Sequence, residues 1–273
     1  FVVTDAGRQI TEADETDNVT RSPGVVSVSL PPPANLVAGS ITIPANGVPG
    51  QAASFTYSVS NALGANEIIG TWKDTLYLSL DTVWDIDDAV LGSVWNSYTD
   101  ADPLSGGESY TRGLHTTLPG VDPGDYHVIV RSDILNYVPE TSEADNLSAS
   151  LDTVELDAEV LPLGGSVSGT LGHGQAVYYK LETPAGETVR LDFDSEGGLI
   201  ANEIYVRYEA MPSLGRFDHA SLEEFSTDPS VLIPETRAGT YYVMVYGAWV
   251  PGTPEYILSS QVIPFSITEV RTD

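Results

Sequence analysis

The chain has 273 residues, 41% of them hydrophobic, with 39 acidic against 11 basic side chains and a net charge of -28. That apolar content supports packed cores and excludes a wholly disordered chain, and the length corresponds to about two domains. The charge excludes recognition of nucleic acid or of an anionic membrane surface, and the absence of cysteine excludes disulfides, thiolate metal sites and cysteine nucleophiles.

Residues 1–19, FVVTDAGRQITEADETDNV, open in a strand-like run and end in acids. They match VIVRSDILNYVPETSEADNL at 128–147 with one gap. Glu12, Glu15, Asp17 and Asn18 align with Glu140, Glu143, Asp145 and Asn146 at a constant offset of 128. The expectation is that 1–19 are the last strand and acidic exit of a preceding copy whose body lies elsewhere, in a tandem array. SVSLPPPAN at 27–35 follows as a stiff, extended connector, because consecutive prolines hold the polyproline geometry.

Beyond it the period is that of strands. In SFTYSVS, Phe55, Tyr57 and Val59 alternate with Ser54, Thr56, Ser58 and Ser60. DTLYLSL, YHVIVR, VRLDFD, EIYVRY, TYYVMVY and EYILSS are similarly short, β-branched or aromatic, and bounded by turn residues. One helical turn is expected around residues 221–225. No apolar run approaches the roughly 20 residues of a membrane helix. The pattern predicts an all-β chain of two β-sandwich domains in tandem. The expected divisions are a terminal strand and connector at 1–33, a first sandwich at 34–152 and a second at 153–273.

ANLVAGSITIP, SFTYSVSNAL, WKDTLYLSLDTVWDIDDAVLG, LSGGESYTRGLHTTLP, GDYHVIVRSD and VPETSEADN occur in order across residues 34–150, which resembles the CARDB family, a cell-adhesion-related domain of bacteria and archaea. The resemblance implies an immunoglobulin- or fibronectin-like sandwich, usually repeated in prokaryotic surface and secreted proteins, with an adhesion-like role and no catalysis. LPLGGSVSGTLGHGQAVYYKLETPAGETVRLDFDSE and PETRAGTYYVMVYG, within 160–262, resemble the bacterial pre-peptidase C-terminal (PPC) domain. That implies a jelly-roll-like sandwich appended to secreted enzymes or built into surface proteins. The middle, ANEIYVRYEAMPSLGRFDHASLEEFSTDPS, departs from the usual short form.

Catalytic motifs are absent. No glycine precedes Lys-Ser or Lys-Thr, GHGQAV lacks the third glycine of a dinucleotide fingerprint, no histidine precedes glutamate, and there is no Gly-x-Ser-x-Gly elbow. The leading candidate site is a calcium loop formed by Asp81, Asp85, Asp87 and Asp88 in LDTVWDIDDAV, with Asp74 in phase with inward-facing Trp72, Leu76 and Leu78. The alternative is a solvated acidic hairpin with Asp74 hydrogen-bonded to backbone amides. The exit acids Glu140, Glu143 and Asp145 are a second candidate, either an interdomain cation staple or a polar strand end closing a turn.

Asn18-Val-Thr20 and Asn146-Leu-Ser148 are formal glycosylation acceptors read as by-products of the repeat. Asp192, Asp194 and Glu196 end a strand and read as solvated. Tyr241, Tyr242, Tyr246 and Trp249 serve either core packing or a sugar-stacking surface. The expected function is a non-catalytic structural or adhesion segment of a larger secreted or cell-surface tandem-repeat protein, stiffened by calcium. Expected partners are neighbouring modules, identical subunits, and surface glycans or proteins, with no nucleic acid and no membrane insertion. A carbohydrate-binding accessory region of a secreted hydrolase and a filament subunit assembled by strand addition are the alternatives.

Overall fold

The computed structural model describes residues 1–14, 16–27, 33–196, 200–221 and 226–264. Glu15, most of the proline connector and residues 222–225 of the expected helical turn lie outside the described residues, and Ser221, the expected start of that turn, is in a strand. Every element is a strand, as the period of two requires; no helix occurs among the described residues. Residues 1–32 and 33–273 form separate compact units.

In the first unit, β1 (Val2–Val3) and β2 (Val19–Thr20) pair antiparallel as Val2 with Thr20 and Val3 with Val19. Asp5, at φ 42°, turns the chain after β1, and its carboxylate accepts the amides of Gln9 at 2.7 Å and Ile10 at 2.8 Å.

The second unit holds both sandwiches. The first comprises β3 (Leu36–Thr42), β4 (Asn46–Gly47), β5 (Ala52–Asn61), β6 (Gly70–Ser79), β7 (Ala89–Tyr98), β8 (Ser109–Thr117), β9 (Gly124–Arg131), β10 (Leu147–Ala149) and β11 (Val154–Leu156). One sheet runs β4-β11-β9-β6-β7, with β10 beside the end of β9, and the other runs β3-β5-β8. Alternation delivers Phe55, Tyr57 and Val59 from one sheet and Trp72, Leu76, Leu78, Val128 and Val130 from the other into a shared core. The expected boundary near residue 153 falls inside this sandwich: β11 pairs with both β4 and β9, and Val154 and Leu156 are core residues.

The second sandwich comprises β12 (Glu159–Val160), β13 (Ser166–Thr170), β14 (Ala176–Thr183), β15 (Val189–Ser195), β16 (Ala201–Tyr208), β17 (His219–Ser221), β18 (Ser230–Ile233), β19 (Gly239–Trp249) and β20 (Glu255–Val262). Its sheets run β12-β14-β19-β16-β17 and β13-β20-β15-β18. On β15, Val189, Leu191 and Phe193 point inward while Arg190, Asp192 and Asp194 lie on the outer side. A smaller cluster of Ala158, Tyr178, Tyr205, Met211 and Met244 covers the outer side of the first of these sheets.

The sandwiches meet through close backbone approach. Gly50 has φ +85°, and a Cβ there would lie 2.4 Å from the carbonyl oxygen of Ala176. Tyr178 packs against Gly120, and Asp122 accepts the amide of Met211 at 2.6 Å. Gln51 donates to Glu159 at 2.6 Å.

Candidate functional site

Asp74 leaves the loop it was grouped with. It is fully buried on β6, where its Oδ2 accepts Tyr57 at 2.9 Å, Tyr110 at 2.8 Å and Asn96 Nδ2 at 2.7 Å, and its Oδ1 accepts the amide of Asp133 at 3.1 Å. Trp72 Nε1 donates to Tyr110 at 3.1 Å, and its ring stacks on Tyr98 at 5.4 Å. Burial pushes the Asp74 carboxyl above its ordinary value, against the pull of its donors. The inward phase read from the sequence is right, and the partners are mostly side-chain hydroxyls and an amide rather than backbone. Their convergence makes Asp74 a structural acceptor between sheets and exit turn.

The loop joining β6 to β7 spends its carboxylates locally. Asp81 accepts the amide of Val83 at 2.7 Å, Asp85 that of Asp87 at 2.8 Å, and Asp88 that of Asp85 at 2.9 Å. Trp84 folds back onto the outer sheet face, with the Arg131 guanidinium 3.8 Å from its ring and Tyr77 edge-on at 5.8 Å. Asp81, Asp85, Asp87, Asp88 and Asp122 line one side of a cleft of about 680 Å³, and Arg207, Met211, Ser213 and Arg216 of the second sandwich line the other. Among the described residues no three carboxylates converge as a metal-holding group.

The exit acids do converge, around two asparagines. Glu140 accepts the amide of Leu36 and, at 2.9 Å, Asn146 Nδ2, which Glu143 also accepts at 3.0 Å. Asp145 accepts Asn35 Nδ2 at 2.8 Å, while Ala34 donates to the carbonyl of Pro139 at 2.8 Å and Ala38 to that of Asp145 at 2.8 Å. The arrangement is a clasp that ties the entry of β3 to the exit after β9. Burial pushes Glu140 up to about 7 and Glu143 in the same direction. Burial also pushes Asp145 up, but hydrogen bonds from Ser142 and Asn35 outweigh it and hold Asp145 below its ordinary value.

The aromatic expectation moves to another module. Tyr241 is buried, Tyr242 and Tyr246 are half-buried, and Trp249 alone of the four is exposed. An exposed pair stands instead on the first sandwich, where Trp95 on β7 and Tyr137 lie 6.4 Å apart beside Lys73, the register partner of Trp95. Nothing in the spacing of residues 95 and 137 marked them, because the turn after β9 brings them together. Asp194, Glu196 and Glu255 border an open hollow of about 510 Å³ on the second sandwich.

Two tandem β-sandwiches, the first closed by a clasp, define the class as β-domain modules, and similarity to known families places both. Residues 33–150 match CARDB, and residues 175–247 match the bacterial pre-peptidase C-terminal domain. Both are domain types that typically serve as non-catalytic accessory modules. No curated protein matches the chain significantly. Among solved structures, the pre-peptidase C-terminal domain of a Bacillus anthracis collagenase is similar at 18% identity and TM-score 0.32, covering 38% of this chain and 94% of that one. A Pyrococcus furiosus CARDB domain in complex with di-metal ions is similar at 18% identity and TM-score 0.33, covering 47% and 97%. The secreted serine protease VesC from Vibrio cholerae is similar at 11% identity and TM-score 0.30, covering 82% of this chain and 51% of that one. At these scores the likeness brings no ligand, substrate or partner to the chain. No helix among the described residues is long and apolar enough to cross a membrane.

Proposed function

We propose that the chain is a non-catalytic spacer and adhesion segment of a larger extracellular protein, with sandwich modules held in fixed relation by built joints. The observation that carries this reading is the backbone-close contact of Gly50 with Ala176, supported by Tyr178 on Gly120 and the Asp122–Met211 hydrogen bond. A chain of freely hinged beads needs no such fit. In this reading Arg207 and Arg216 offset the acidic loop across the cleft, and calcium acts there as a loosely held counter-ion, since the loop carboxylates already accept amides.

The test is NMR relaxation on the intact chain and on Gly50→Val. The intact sandwiches tumble together, and the valine, forced against the Ala176 carbonyl, releases them while each keeps its own fold. Independent tumbling in the intact chain sinks the spacer reading.

A second reading, binding of surface glycans as an accessory region, is favoured by the exposed Trp95–Tyr137 pair with Lys73 at its side. A glycan array decides it: hits lost in Trp95→Ala support it, and an array without hits removes it.

A further inference from the structure

The hairpin at the start of the chain reproduces the strand register and turn geometry of the end of the first sandwich. Val2–Thr20 and Val3–Val19 pair as Val130–Ser148 and Arg131–Leu147 do, each position displaced by 128 with no gap. Thr4 donates its amide to the carbonyl of Asn18 at 3.0 Å, as Ser132 does to that of Asn146 at 2.8 Å. Asp5 and Asp133 both have φ 42°, and Arg8 and Asn136 have φ 50° and 51°. The Asp5 carboxylate holds the amides of Gln9 and Ile10, as the Asp133 carboxylate holds those of Tyr137 and Val138 at 3.0 and 2.7 Å. Left-handed φ is unfavourable for arginine, so its retention at Arg8 reflects the same turn rather than local preference.

What differs is cover. Val130 is 0% and Val138 7% exposed, both in the first core, whereas their counterparts Val2 and Ile10 are 66% and 63% exposed. Phe1, counterpart of the fully buried Ile129, is 87% exposed. A hairpin with the geometry of a sandwich edge thus presents to solvent the side chains that edge buries.

We propose that residues 1–20 are the closing hairpin of another sandwich of the first type, and that their partner is a body with the chemistry of residues 33–128. The proposal rests on the tandem-module reading above and names what this surface binds. The register specifies the fit. Arg131 and Val130 pair with Thr75 and Leu76 of β6, so Val3 and Val2 pair with the corresponding positions of a β6-like strand. The amide of Asp133 donates to buried Asp74, so that strand carries an inward carboxylate that receives the amide of Asp5. Glu12 takes the place of Glu140 and accepts an amide from the partner's β3-like entry.

The test adds residues 33–128 directly ahead of Phe1 in the full chain, which restores the spacing of the complete module. Hydrogen exchange at Val2, Val3, Thr4 and Ile10 slows by about 100-fold or more, and a further cooperative unfolding transition appears. Val2→Asp in the extended chain abolishes both and leaves the original sandwiches unchanged. A second variant exchanges residues 129–148 for residues 1–20 within the unextended chain; the first sandwich still unfolds cooperatively, whereas a scrambled insert destroys it. Fast exchange of 1–20 in the extended chain, together with loss of the first transition in the exchanged one, overturns the proposal. So does protection of 1–20 in the unextended chain through a concentration-dependent dimer, since the hairpin then docks on an already closed module. Neither variant alters the Gly50–Ala176 joint, so failure here is distinct from failure of the spacer reading.

Discussion

The loop at residues 81–88 and the clasp at 140–146 belong to one sandwich and are comparably acidic, yet they are built differently. In the loop, Asp81, Asp85 and Asp88 accept amides two or three residues away; Asp81 and Asp85 remain exposed and Asp88 is half-buried. In the clasp, Glu140 and Asp145 accept from Leu36 and Asn35, more than a hundred residues away in sequence, and Glu140 is partly buried. Asp74 is the limiting case, fully buried with four donors. The lesson is that carboxylate density says little about role; sequence separation and burial of the donors say much. Local acceptors shape a turn, and distant ones hold the fold closed.

The comparison breaks first at Asp74. Asp74→Ala leaves two tyrosine hydroxyls, the Asn96 amide and the Asp133 amide without their acceptor inside the core. The expected loss is about 3–5 kcal/mol from the first sandwich, read by urea unfolding, with the second sandwich as internal reference. A loss under about 1 kcal/mol shows that water reaches the site and that Asp74 does not tie the sheets to the exit turn.

Much of this was legible from alternation alone. The strands, the inward phase of Asp74 and the repeat at offset 128 all follow from patterns within a few residues or from self-comparison. The partners of Asp74 were not legible, because Tyr57 and Tyr110 lie on strands 17 and 36 residues away in sequence. Nor was the fold-back of Trp84, whose place depends on Arg131 and Tyr77 presenting a receptive face. The joint was illegible for a similar reason. Gly50 reads as an ordinary turn glycine until Ala176 of the other module is set against it. Of the two readings of TYYVMVYGAW, core packing holds for Tyr241, because a strand inside a sheet buries one side and half-covers the other.

The clasp is sharpened by pH. Glu140 is raised by burial to about 7 from an unfolded value of 4.5, with Glu143 and Asp133 adding like charge. Between those values the native state holds a proton that the unfolded chain has released. The contribution is therefore full below about 4.5 and is withdrawn as pH rises through about 7. Asp74 is shifted in the same direction. Melting of the first sandwich rises by a few degrees when pH falls from about 8 to 5, beyond any rise in the second sandwich. Glu140→Gln flattens most of the difference. Equal pH dependence in both sandwiches assigns the effect to relief of overall charge repulsion instead.

The smallest effect belongs to the loop. In Asp85→Asn with Asp88→Asn, the amide oxygens still accept from Asp87 and Asp85, so the turn survives and stability changes by less than about 0.5 kcal/mol. What changes is charge facing Arg207 and Arg216 across the cleft. Salt and calcium dependence of interdomain motion, followed by NMR relaxation, should weaken in this double variant while both melting temperatures stay in place. If calcium raises the melting of the intact chain sharply and the double variant loses that rise, the loop carboxylates rearrange into a cation cage, and the contrast between loop and clasp fails at its weaker end.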